Sequence, residues 1–150
     1  RELLEEHRRA RQGRYYLKRR ENPVWRPNPL AYRGQLYLLT DAAVASAGAL
    51  CASLLRSDGR AVMVGEETMG GYYGHTGHTA VEYELPYTRI RLKFSIVDME
   101  QDVRADPRYP YGRGVLPDYA VSPTRQDFIQ RRDAALSFVR QLIRQKREAE

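Results

Sequence analysis

The run Thr40-Asp41-Ala42-Ala43-Val44-Ala45-Ser46-Ala47-Gly48-Ala49-Leu50 sets one serine among very small residues, where an apolar segment gives way to a helix-forming one. Small neighbours let a substrate backbone approach closely. A serine at a helix amino terminus also has unpaired backbone N–H groups beside it and the positive end of the helix dipole, both favourable to an oxyanion. The same position suits a serine that merely caps the helix, so the local pattern leaves catalysis and capping open. His75 and His78, in Gly74-His75-Thr76-Gly77-His78-Thr79, are candidates for a general base or for a two-histidine metal site. No third ligand stands around them in a familiar spacing, and a substrate-side lid or a plain surface loop fits the same glycine-rich stretch. Tyr72 and Tyr73 either line a cleft or pack. Glu66 and Glu67 could orient a base, but a solvated turn is the expectation for them.

These residues need a scaffold. Gln35-Leu36-Tyr37-Leu38-Leu39-Thr40 is a short apolar run after Gly34, as expected of a strand buried on both faces in a parallel sheet. Ala47 to Arg56 is rich in Ala and Leu and stops at Ser57-Asp58-Gly59, where glycine can take the left-handed closing conformation. Ala61-Val62-Met63-Val64-Gly65 supplies a second buried strand and completes a β-α-β unit. Beyond the glycine-rich loop the pattern turns to alternation. Val81, Tyr83 and Leu85 oppose Glu82 and Glu84, and Ile90, Leu92, Phe94 and Ile96 alternate with Arg89, Arg91, Lys93 and Ser95. Two half-buried strands follow, with Glu82 and Glu84 pairing across to Arg89, Arg91 and Lys93. Thr124-Arg125-Gln126-Asp127 is a variant of the capping box, opening a helix whose apolar stripe is Phe128, Ala135, Phe138, Val139, Leu142 and Ile143. At the other end, residues 1–20 have helix-forming composition interrupted by Gly13, and Asn22 to Pro29 carries three prolines, a connector that Trp25 would anchor.

Bulk properties narrow the function classes. The chain has 150 residues, 42% hydrophobic, enough for one domain with a real core. Its net charge of +6 invites a nucleic-acid reading. Eight basic residues against three acids lie within residues 1–20, however, and no zinc spacing, aromatic sheet signature or recognition-helix pattern accompanies them, so no nucleic-acid partner is expected. Cys51 is the only cysteine, which excludes an intrachain disulfide framework, and its apolar neighbours suggest a small buried side chain. No apolar run approaches the length of a membrane span, and no secretory leader stands at the start.

The longer ordering of features is more specific than any one of them. Gly34 to Asp41, then Ser46-Ala47, then Gly59-Arg60-Ala61-Val62-Met63-Val64-Gly65-Glu66-Glu67-Thr68-Met69-Gly70-Gly71 closely resembles the signature region of the S41 peptidases, the tail-specific or C-terminal processing protease family. Gly70-Gly71-Tyr72-Tyr73-Gly74, Leu85-Pro86, Tyr111-Gly112-Arg113-Gly114-Val115-Leu116-Pro117-Asp118-Tyr119, and Pro123-Thr124 with Asp127 extend the likeness. The connector 22–29 is similar to that of a Bacteroidetes-type branch. The resemblance runs over about residues 22–143.

The resemblance implies an α/β fold: the crotonase/ClpP-like β-β-α core of the S41 catalytic domain, with an antiparallel strand pair and a C-terminal helix. Residues 1–33 would be an N-terminal helix and proline-rich connector, and 34–150 the C-terminal part of the catalytic domain. Ser46 would be the nucleophile of a serine endopeptidase acting through an acyl-enzyme, and the Ala47 N–H an oxyanion donor. Gly70, Gly71, Tyr72, Tyr73, His75 and His78 would lie on the substrate side. Neither cofactor nor metal is implied. The partners would be a peptide or protein substrate and an upstream part of the same protein, supplying core strands, a base and a PDZ-like module. The location would be the bacterial envelope: periplasmic, secreted or lipid-anchored.

Two departures matter. The better-known branch carries a lysine base where Gly71 stands, and the only lysines here are Lys18, Lys93 and Lys146. A tricorn-like upstream histidine is the favoured alternative, which would leave residues 1–150 inactive alone; His7 is a poor candidate. The family's glutamate shortly after the nucleophile is replaced by Leu50. A non-catalytic peptide-binding relative is therefore the competing reading, and acyl-CoA chemistry of a crotonase relative is a third that rests on fold alone.

Overall fold

The computed structural model describes residues 5–21, 26, 28–77 and 80–149. The chain forms two compact units, Arg1–Gly34 and Gln35–Glu150. In chain order the elements are β1 (His7–Arg9), a 3-10 turn (Arg11–Gly13), β2 (Tyr15–Leu17), β3 (Leu36–Thr40), α1 (Ser46–Asp58), β4 (Ala61–Gly65), β5 (Gly74–His75), β6 (Ala80–Glu84), β7 (Arg91–Ser95), β8 (Met99–Glu100), β9 (Tyr119–Ala120), α2 (Arg125–Ile129) and α3 (Ala134–Ala149).

The first unit corrects the helix expected over residues 1–20. β1 and β2 pair antiparallel, with Arg8 opposite Tyr16 and the Arg8 guanidinium 5.9 Å from the tyrosine ring. Gln12 and Gly13 take left-handed φ values of 57° and 74°, which turn the chain back, and Tyr15-Tyr16-Leu17 favours a strand once that turn forms. In the connector, residues 22–25 and 27 lie outside the described residues, Trp25 among them. The Asn28 side chain accepts the Leu30 N–H at 2.8 Å and closes a local turn.

In the second unit, β3, β4 and β9 form a parallel sheet in that order, Leu36 opposite Ala61 and Val64 opposite Tyr119. α1 crosses from β3 to β4. It ends where Gly59, at φ 71°, donates its N–H to the Leu55 and Arg56 carbonyls. Ala49, Ala52 and Ser53 face the sheet, and their small size lets the helix lie close. That phase points Leu50, Cys51 and Leu54 outward, so Cys51 is exposed rather than buried. The core joins Ala52, Met63, Tyr72, Tyr109 and Val115. β4 is the buried strand. β3 is the edge of the sheet, with Leu36 and Leu39 each 37% exposed, so it is not covered on both faces.

β6 and β7 pair as the charge pattern predicts. Glu82 lies opposite Lys93 and Glu84 opposite Arg91, and Glu84 meets Arg89 at 3.0 Å and Arg91 at 3.4 Å. Their apolar residues are more open than expected, Tyr83, Leu92 and Phe94 all being exposed. The C-terminal stripe is two helices, not one. Arg131 stands at φ 51°, and the Asp133 carboxylate takes the Leu136 N–H at 2.9 Å, so Asp133 starts a second helix and Phe128 is left exposed.

Candidate active site

α1 begins at Ser46 itself, with Ala45 extended before it. Ser46 is held at φ 50°, a left-handed conformation rare for a residue with a Cβ and found where surroundings over-determine the backbone. The Gly48 and Ala49 N–H groups both turn back to the Ala45 carbonyl, at 3.0 and 3.3 Å. The N–H groups of Ser46 and Ala47, the first two of the helix, have no intrahelical acceptor. Ser46 is exposed, and among the described residues no side chain hydrogen-bonds its hydroxyl. The approach to this turn is shaped by Asp41, whose carboxylate takes the Ala43 N–H at 2.8 Å and whose carbonyl takes the Val44 N–H at 3.1 Å.

Behind the turn lies the glycine-rich loop. Gly70 gives its N–H to the Val44 carbonyl at 3.1 Å. A Cβ on Gly70 would collide with the Ala49 methyl and lie 3.4 Å from Ala45 Cα and 3.5 Å from Ser46 N, so only glycine lets the loop approach this closely. Gly71 bridges Gly114, and a side chain there would meet the Gly74 carbonyl at 2.7 Å. Position 71 in this fold is shaped for glycine, not for a lysine.

Tyr72 does not line a cleft. It is 1% exposed, stacked on Tyr109 at 4.1 Å, and donates to the Arg104 carbonyl at 2.9 Å. Burial pushes its hydroxyl pKa up, so it stays protonated at neutral pH. Tyr73 donates to the Asp106 carbonyl and accepts the Asp106 N–H. Both tyrosines fix the 101–109 segment. His75 lies in β5, and its Nδ1 accepts the Gly77 N–H at 3.2 Å. His78 lies outside the described residues. Among the described residues no group of three or more His, Cys, Asp or Glu side chains could hold a metal ion.

Several residues support the loop in ways the sequence did not indicate. Glu66 and Glu67 are not a solvated turn: Glu66 accepts the Ser122 hydroxyl at 2.6 Å, and Glu67 takes the Gly114 N–H at 2.9 Å and meets Arg113 at 3.0 Å. Thr68, 3% exposed, is knotted to Val115. Asp118 accepts the Met63 N–H at 2.8 Å and pairs with Arg56 at 2.7 Å, tying β9 to β4 and α1. The two glycine-containing motifs, 65–71 and 111–119, are therefore halves of one structure. Their joint presence in the sequence was the available signal.

An open groove of about 290 Å³ lies at the carboxyl ends of the three parallel strands, lined by Thr40, Asp41, Glu66 and Val121 together with the start of α3. This end of an open parallel sheet is where α/β proteins place ligands. No helix among the described residues is long and apolar enough to cross a membrane.

No curated protein matches the chain significantly. The model of peptidase family S41 matches residues 2–121, from before β1 to the residue after β9. With the match covering most of its length, the chain belongs to peptidase family S41, a family of serine peptidases.

Proposed function

We propose that this chain carries the nucleophile of a serine endopeptidase, and that Ser46 is that nucleophile. The observation that carries the reading is the Ser46 turn: an exposed serine at a left-handed φ, with two adjacent N–H groups free at the start of a 13-residue helix. Ser46 Oγ attacks the scissile carbonyl carbon, its proton passing to a base. The Ala47 N–H holds the tetrahedral oxygen, and such a donor contributes about 2.7–4 kcal/mol to the transition state. The peptide C–N bond then breaks with a proton delivered to the leaving amine, and water hydrolyses the acyl ester.

The base comes from outside residues 1–150, an upstream histidine being the favoured source. Gly71 cannot supply it, and His75 has no hydrogen bond to Ser46. The upstream part also adds strands beside the open edge of β3 and completes a crotonase-like core, of which β3, α1 and β4 are the portion in hand. Gly70, Gly71 and His75 are the substrate-side candidates; Tyr72 and Tyr73 support them from behind. The substrate is an extended peptide or protein segment, and the tail-specific, envelope-located role follows the wider family.

In the full-length protein, Ser46→Ala is expected to abolish peptide hydrolysis while leaving the melting temperature unchanged. Retained hydrolysis would show that another group is the nucleophile. The second reading, a peptide-binding relative without catalysis, is favoured by the glycine geometry at position 71. Peptide binding without turnover in the full-length wild-type protein would establish it.

A further inference from the structure

We propose that Thr68 is a positioning residue for Ser46, its hydroxyl transmitting the packing of the core to the nucleophile turn through the backbone of Gly70. This rests on Ser46 being the nucleophile. Thr68 is almost fully buried, and both hydrogen-bonding capacities of its hydroxyl that matter here are engaged: it accepts the Val115 N–H at 2.8 Å and donates to the Gly70 carbonyl at 2.8 Å. Val115 is fully buried in the cluster with Ala52, Met63, Tyr72 and Tyr109, so that end of the relay is fixed.

The other end reaches the turn. Gly70 is held on both sides: its carbonyl accepts the Thr68 hydroxyl, and its N–H, in the preceding peptide, donates to the carbonyl of Val44, two residues before the serine. Its Cα lies so close that an added methyl would stand 3.5 Å from the Ser46 nitrogen. Ser46 sits at φ 50°, a conformation that persists only when neighbouring structure holds it. Gly70 packs against this turn, and the Thr68 side chain hydrogen-bonds the Gly70 carbonyl. A threonine retained only to fill space would need its methyl; a threonine that positions the turn needs its hydroxyl.

Thr68→Val keeps the shape and removes the hydroxyl, and Thr68→Ser does the reverse. In the full-length protein, well below the melting temperature, Thr68→Val is expected to slow fluorophosphonate labelling of Ser46 on the order of 10²-fold, since a small misplacement of a reacting group costs about that much. kcat on a peptide substrate should fall in parallel with KM little changed, and Thr68→Ser should restore both to within about threefold of wild type. Val139→Ala, which opens a cavity where α3 packs on β3 and β4, should lower the melting temperature without slowing labelling. Labelling that survives Thr68→Val, or that Val139→Ala slows equally, would overturn the proposal. If Thr68→Val does not fold, Thr68→Ser decides alone: a loss greater than tenfold overturns the hydroxyl's role, and near-wild-type labelling supports it. If wild type does not label, the nucleophile assignment fails, and positioning is read from the Ser46 and Ala47 amide resonances. Those must shift in Thr68→Val and not in Thr68→Ser or Val139→Ala; unchanged resonances in Thr68→Val overturn the proposal.

Discussion

Replacing Asp118 by alanine tests whether the 111–119 motif holds the sheet together. The carboxylate accepts two hydrogen bonds, from Arg56 Nη1 at 2.7 Å and from the Met63 N–H at 2.8 Å. Met63 is fully buried and the Arg56 side chain is 11% exposed, so neither donor is readily rehydrated. Hydrogen bonds involving a charged group contribute about 1.5–3 kcal/mol each, but Asp118 is itself 34% exposed and water replaces part of the loss. The expected cost is about 2–4 kcal/mol, which lowers Tm by about 8–15 °C for a unit of this size. Asp118→Asn, which keeps an acceptor for Met63, should lose about half as much. The sign of the pH dependence also follows. Burial raises the Asp118 pKa, but the Arg56 and Met63 hydrogen bonds outweigh it and hold the group below its ordinary value. The unfolded chain therefore takes up the proton first, and this stabilisation is present above pH about 4 and lost as pH falls below it. Wild type and Asp118→Ala should differ most near pH 6–7 and converge in acid. Thermal melts of the two proteins from pH 7 to pH 3 check this. A Tm loss under about 3 °C at pH 7, or a difference that does not shrink in acid, would refute the reasoning.

Gly70→Ala places a methyl against Ala49 and the Ser46 turn, so it should destabilise by about 1–3 kcal/mol and slow fluorophosphonate labelling, read by melts and labelling rates together. Wild-type labelling in that variant would mean that the close approach does not shape the turn. Asp127 accepts the Thr124 N–H and hydroxyl and the Arg132 guanidinium, which together hold its carboxyl at about 2. Its contribution is present above the unfolded value of 3.8 and is lost as pH falls toward 2, so melts of wild type and Asp127→Ala should approach each other between pH 5 and pH 2; a constant difference would contradict the capping role.

The β-α-β unit was legible because its signals are local. Apolar runs at 36–40 and 61–65, and a small-residue helix closed by Gly59, each specify an element without distant help, although the burial expected of 36–40 did not follow. The capping box at Thr124 and Asp127 was legible for the same reason. The failures lie where a short-range competitor or a long-range contact decides. Residues 1–20 have helical composition, yet two left-handed residues, Gln12 and Gly13, reverse the chain. Asp133 resembles any acidic residue on a helix until its side chain is seen capping α3. Cys51 has apolar sequence neighbours, but one step of helical phase separates it from buried Ala52.

Sequence order singled out Ser46 and the glycines as candidates, while the scaffolding around them was hidden. Thr68, Glu67 and Asp118 act on backbone groups 47 to 55 residues away, and a side chain that serves a distant amide leaves no periodicity to read. Tyr72, in a motif that pointed toward substrate, is covered because it stacks on Tyr109 from a segment with no regular structure.

Peptidase activity of this protein depends most on Ser46 being an activated nucleophile. Treating the full-length protein with a fluorophosphonate probe and mapping the adduct by peptide mass spectrometry addresses that directly. A single adduct on Ser46, absent from a Ser46→Ala protein that melts at the wild-type temperature, is the predicted result. An unmodified Ser46 in folded protein, or an adduct on another residue, would contradict it.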